Sequence, residues 1–275
     1  MMSQKPPPKQ FVKTPINGTK YTILVSSAKG GVGKSTVAIN LAFALQSLGL
    51  KIGILDADVY GPSLPKLLNL RDKPKSEDNK SITPIEKFGA QCMSMGLLID
   101  EQTPMMWRGP MVISAIKTMT QKVLWKDRDV IIIDMPPGTG DTQLTFVQEV
   151  KIDGVIIVST PQDIALLDVI KAVTMFDKAG VPLLGMVQNM AIWECPDCGR
   201  TDHIFGEGGV AKEAQKRGIE LLAEMPLSLS IRKGADSGMP VVISEPDSLQ
   251  ARTYHDIAKK LIGKAGLDQE ITAEE

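Results

Sequence analysis

Residues 27–36 read Ser27-Ala28-Lys29-Gly30-Gly31-Val32-Gly33-Lys34-Ser35-Thr36, with three glycines and two lysines in ten positions. Glycine carries no Cβ, so main-chain N–H groups along such a stretch can converge on phosphate oxygens. Lys34 supplies a point charge toward the β- and γ-phosphates, and the Ser35 hydroxyl is suited to Mg²⁺. The strict phosphate-loop pattern wants glycine at position 28, where this chain has alanine. A glycine-rich turn without a ligand is the alternative. Against it stand the apolar run Tyr21–Ser26 before the loop and the apolar-periodic stretch after it, because strand, loop and helix N-terminus together make an anion site.

Two further segments carry aspartate where an apolar run meets a loop. They are Ile54-Leu-Asp56-Ala-Asp58-Val-Tyr-Gly-Pro-Ser63 and Val130-Ile-Ile-Ile-Asp134-Met-Pro-Pro-Gly-Thr-Gly-Asp141. The carboxyl ends of parallel strands are where α/β sheets bind ligands. Asp134 is the candidate to hold Mg²⁺ through its water ligands. Asp56 is placed to assist that shell and Asp58 to orient an attacking water. An Asx turn capping a helix near Pro62 is the plainer role for either of these two. Residues 136–140, Pro-Pro-Gly-Thr-Gly, look like a switch loop stiffened by prolines and pivoting on glycines.

Lys29, arriving together with Ala28, gives a loop that resembles the deviant phosphate loop of the MinD/ParA group of dimeric ATPases. That resemblance implies that Lys29 reaches across a dimer to the partner's nucleotide. It also implies that Asn189, in Val187-Gln-Asn-Met, contacts adenine. A carboxamide can satisfy both the exocyclic amine and a ring nitrogen of adenine. The guanine-reading Asn-Lys-x-Asp pattern is absent, so ATP is the expected nucleotide. The cradle to test is therefore Lys29, Gly30, Gly31, Val32, Gly33, Lys34, Ser35 and Thr36, with Asn189.

Cys195 and Cys198 form a Cys-x-x-Cys pair inside Trp193-Glu-Cys-Pro-Asp-Cys-Gly-Arg200. Two thiolates make half of a tetrahedral thiolate site. A two-fold dimer would supply the other two without any new residue. His203 is a possible additional ligand, and Cys92 reads as a buried small hydrophobe. Structural zinc, a redox dithiol and an inert pair all stay open at this point.

With the loop and the aspartate motifs, the segments Trp107-Arg-Gly-Pro-Met111, Cys195-Pro-Asp-Cys-Gly199 and Ile204-Phe-Gly206 resemble the Mrp/ApbC family over about residues 20–262. That family comprises iron–sulfur cluster carrier ATPases, with a mitochondrial branch serving respiratory complex I. The resemblance implies a labile [4Fe–4S] cluster shared across a homodimer by Cys195 and Cys198, and its transfer to apoproteins. Hydrolysis is expected to be slow and switch-like. The extra N-terminal domain of many bacterial members is not expected here, and the segment Trp107–Met111 has no assigned role.

The elements that must position these residues alternate along the chain. Buried parallel strands are expected at Tyr21–Ser26, Lys51–Asp56, Val130–Asp134 and Gly154–Ser159, with weaker ones at Val181–Gln188 and Gly218–Met225. Helices are expected at Lys34–Leu48, Met111–Trp125, Thr142–Val150, Ile164–Ala179, Gly209–Arg217 and Ser248–Ile262. The pattern predicts an α/β fold, a doubly wound and mostly parallel sheet with helices on both faces. A single P-loop domain is expected over 20–264, after a flexible lead at 1–19 and before an acidic tail at 265–275. Arg71–Lys80 reads as a charged surface excursion.

The 275 residues are 43% hydrophobic and 23% charged, with a net charge of −1. That balance offers no electrostatic case for nucleic acid or an anionic membrane as the main partner. No apolar run reaches the roughly 18 residues a spanning helix needs. The rival reading, a positioning or partitioning ATPase, wants a basic amphipathic C-terminal helix or a basic surface. The sequence ends instead in Ala-Gly-Leu-Asp-Gln-Glu-Ile-Thr-Ala-Glu-Glu. With three cysteines and no secretory signal, a reducing interior is expected: cytoplasm, or the mitochondrial matrix as the alternative.

Overall fold

The computed structural model describes residues 13–76, 80–98 and 109–267. Most of the expected lead and tail, Trp107 and Arg108, and three residues of the 71–80 excursion lie outside them. The strands are β1 Thr19–Ser26, β2 Ile52–Asp56, β3 Ile85–Lys87, β4 Ala90–Ser94 and β5 Arg128–Asp134, followed by β6 Gly154–Ser159, β7 Leu183–Gln188, β8 Trp193–Glu194, β9 Thr201–Asp202 and β10 Leu221–Glu224. The helices are α1 Lys34–Ser47, α2 Leu64–Leu67, α3 Gly109–Lys117, α4 Asp141–Glu149, α5 Asp163–Lys178, α6 Gly209–Arg217, α7 Leu229–Ser237, α8 Val241–Ser244 and α9 Leu249–Ala265.

Eight strands form one sheet in the order β10-β7-β6-β1-β5-β2-β4-β3, and only the β3–β4 pairing is antiparallel. In the central strands nearly every residue is buried, as continuous Ile/Val/Leu runs covered on both faces require. One face carries α1 and α9, whose Leu41, Leu45, Tyr254 and Leu261 pack on Ile23, Ile54 and Ile132. The other carries α3, α4, α5 and α6, with Ile116, Phe146, Phe176 and Val210 against Leu24, Ile133 and Ile157. The expected doubly wound sheet is the one observed.

The expected helix over Met111–Trp125 is shorter in the structure. The α-helix ends at Lys117, widens to a π-helical turn over Thr118–Lys122, and gives way to an extended Val123 bridged to Ile82. Trp125 is what redirects the chain. Its ring lies against Gly53 of β2, where no side chain intervenes, so the apolar run finishes in the core between elements. Cys92 sits fully buried in β4, as expected.

Candidate nucleotide and cysteine sites

Strand register assembles the first site. Val25 of β1 stands opposite Asp134 of β5, and Asp134 opposite Asp56 of β2. Both carboxylates therefore meet at the carboxyl edge of the sheet, beside the loop that follows β1. That loop turns into α1 through Gly33, which caps the helix at φ 83°, a left-handed conformation that a side chain resists. A Cβ there would also lie 2.2 Å from the Asn189 amide nitrogen. The first amides of α1 have no partner within the helix and face the loop, the arrangement that binds anions.

Lys34 is only 7% exposed and donates to Asp134 Oδ1, with the Ser35 hydroxyl 3.2 Å from its ammonium. Burial raises the Asp134 carboxyl above the ordinary range while Lys34 pulls against it. The second carboxylate oxygen, Oδ2, is buried without a partner among the described residues. An orphaned hard oxygen beside a serine hydroxyl is what Mg²⁺ takes, so these residues fit the ion. Asp134 and Ser35 would hold it, and it would neutralise charge on the bound phosphates.

Asp56 is differently occupied. It accepts from the backbone N–H groups of Asp58, Ser63 and Leu64 and from the Ser94 hydroxyl, and so caps α2 from a distance. Burial, then the nearby Asp134, push its pKa up to about 7. Asp58 accepts from Tyr60 and Gly61 N–H at 3.2 Å, forming the turn expected as its plainer role. It also lines a cleft of about 580 Å³ with Tyr60 on one side and Pro136, Gly140 and Gln143 on the other. The two loops at the strand ends thus face each other across the space beside the phosphate loop.

Lys29 is half-buried, with its carbonyl accepting from Ser27 Oγ. Asn189 donates its amide to the Val32 carbonyl at 2.8 Å, so it braces the phosphate loop directly. Sequence reasoning missed two more braces. Gly138 N–H donates to the Ser27 carbonyl at 2.9 Å, fastening the 136–140 loop to the phosphate loop. Gln143, 1% exposed, donates to the Pro136 carbonyl. Its signal was a lone glutamine on the buried face of the helix that follows the loop.

The cysteine pair sits in a hairpin that the sequence did not disclose. β8 and β9 pair antiparallel, Cys195 N–H donates to the Arg200 carbonyl, and Gly199 N–H returns to the Cys195 carbonyl. Cys198 is exposed and Cys195 half-exposed. Backbone amides of Cys198 and Asp197, and the Cys198 thiol, lower the Cys195 pKa and favour its thiolate. His203 donates Nδ1 to the Ala191 carbonyl at 2.9 Å, which ties the hairpin to its own stem. Among the described residues no cluster of three or more His, Cys, Asp or Glu side chains is assembled to hold a metal. One chain offers two thiolates.

A family model described as ParA: NUBPL iron-transfer P-loop NTPase matches residues 18–262. An Arabidopsis thaliana protein named "Iron-sulfur protein required for NADH dehydrogenase, mitochondrial" is 49% identical, covering 90% of this chain and 79% of that one. The Escherichia coli K12 "Iron-sulfur cluster carrier protein" is 48% identical, covering 90% of this chain and 67% of its own. A nucleotide-binding protein from Archaeoglobus fulgidus in complex with ADP is 37% identical, with a TM-score of 0.74 over 85% of this chain and 91% of that one. Pyrococcus furiosus MinD, 24% identical at a TM-score of 0.66 over 89% of this chain and 99% of its own, shares the fold. With the match running from before the phosphate loop to within α9, the chain belongs to the NUBPL iron-transfer P-loop NTPase family.

Proposed function

We propose that this chain is an ATP-binding iron–sulfur cluster carrier whose nucleotide state sets the geometry of a homodimer. Four thiolates, Cys195 and Cys198 from each copy, would hold a [4Fe–4S] cargo for delivery to apoproteins. Lys34 and the loop amides grip the phosphates, Lys29 reaches the partner's nucleotide, and Asp58 orients water in the cleft between the two loops. Turnover is slow because hydrolysis serves as a switch. Such a carrier works in the cytoplasm or in the mitochondrial matrix.

One observation carries the coupling. Asn189 holds the phosphate loop through Val32, and the cysteine hairpin begins four residues along the same connection, tied back to it by His203 on Ala191. A change in the loop on nucleotide binding has a short route to the thiolates, one hydrogen bond and then six residues of chain. Anaerobic reconstitution with iron and sulfide tests the cargo: a brown dimeric protein with broad absorption near about 400 nm is expected. A colourless protein holding only zinc would set the carrier reading aside in favour of a structural metal.

A further inference from the structure

Between α4 and α5, on the face of the sheet away from α1, runs an open groove of about 1110 Å³. Its floor is apolar, with half-buried Leu144 and Ile170 and the edge of Met175, and its rim carries Lys13, Lys171 and Lys178. No carboxylate of the described residues lines it. Lys171 is paired with Asp168 at 3.0 Å, and Glu149 at the end of α4 is engaged by Lys117 at 3.4 Å. Lys13 donates to the Ala179 carbonyl, and neither it nor Lys178 meets a carboxylate among the described residues. The lining thus carries an excess of cations, Lys13 and Lys178 being those without a carboxylate partner, although the whole chain is near neutral.

The exposed face of α5 prolongs the groove. Leu167, Ile170, Lys171, Thr174 and Lys178 recur at helical spacing, and Leu167 is 65% exposed where a solvated helix would carry a polar residue. Apolar anchors flanked by like charges match a helix-in-groove partner of opposite sign. The wall opposite is α4, whose first residue directly follows the 136–140 loop, and Thr139 of that loop lines the groove. An occupant would therefore touch the element that borders the nucleotide cleft.

We infer that the α4–α5 groove docks an acidic amphipathic helical segment of a partner protein, with apolar side chains on Leu144, Ile170 and the edge of Met175 and carboxylates on the three lysines. That such a partner gives or receives the cluster rests on the reading above; the docking itself does not.

The test uses the full chain without nucleotide and a fluorescein-labelled amphipathic peptide of about four helical turns, with leucine on one face and glutamate flanking it. Fluorescence anisotropy should show saturable binding. Affinity should fall about tenfold or more in Lys171→Glu/Lys178→Glu. A peptide with lysine in place of glutamate should then prefer that double variant to the original protein. Thr174→Trp, which fills the groove without changing charge, should weaken the glutamate peptide as well. All three positions are on the exposed face of α5, so folding and basal hydrolysis should not change. No binding by the original protein, equal affinity in the variants, or binding only to phosphatidylglycerol vesicles would overturn the inference. Because nucleotide is left out, none of these outcomes touches the phosphate-loop reading.

Discussion

Lys34 and Asp134 are 7% and 2% exposed and already joined, whereas Cys198 stands in solvent and Cys195 is only partly covered. Both regions lie on connections that leave the carboxyl edge of one sheet. The first is a core feature: strand register, a left-handed glycine and several buried carboxylate hydrogen bonds fix it before any ligand arrives. The second is a short hairpin held by a few backbone bonds, and it presents two cysteines, one exposed and one half-exposed. A binding site that must be specific for one nucleotide gains from being rigid. A site that must accept and surrender cargo gains from being open.

The contrast predicts unequal damage. Lys34→Ala should have the largest effect, because it removes the buried cation of the phosphate loop and leaves Asp134 buried without its partner. Mg-ATP binding should drop below calorimetric detection. The folded state should lose about 3 kcal/mol, less whatever Asp134 recovers by taking up a proton. Thermal unfolding alongside the titration separates the two effects. Wild-type affinity in a well-folded Lys34→Ala protein would remove the distinction between the regions.

Cys195→Ser should behave in the opposite way. The reconstituted chromophore should be lost, while unfolding free energy stays within about 0.5 kcal/mol, the range for exposed positions away from the core. Mg-ATP affinity should be unchanged. A large loss of stability would mean that the hairpin belongs to the core after all.

The same contrast explains what the sequence disclosed. The phosphate loop, Asp56 and Asp134 were legible because glycine spacing and apolar runs ending in aspartate are local patterns. So were β1, β2, β5 and β6, whose burial on both faces leaves unbroken apolar runs. Helix α3 was overextended because Val123 and Trp125 continue its apolar run while packing in the core between elements, and periodicity cannot tell these apart. The β8–β9 hairpin was invisible: its strands are two residues each and its pairing follows from a turn at Gly199. Asn189 was expected at adenine by resemblance, but its bond to Val32 is a long-range contact that no local pattern encodes.

The smallest effect concerns pH, and it tells the regions apart without disabling either. In the folded chain the Asp56 carboxyl is raised to about 7 from an ordinary 3.8, mainly by burial. Between those values the folded protein keeps a proton that the unfolded chain has released. The stabilisation is complete below about pH 4 and disappears as pH rises through about 7, with a slope of at most about 1.4 kcal/mol per unit for one proton. Asp134, raised in the same direction, adds to it. The thermal midpoint of nucleotide-free protein should therefore decline over this window, and Asp56→Asn should flatten the decline. That variant should also be less stable throughout, since an amide nitrogen cannot accept the bonds that one carboxylate oxygen now takes. Cys195→Ser should keep the wild-type slope, because the hairpin lies outside the buried carboxylate cluster. A midpoint that does not change with pH in the wild-type protein would show the carboxylates to be solvated, and the rigid half of the contrast would fall with them.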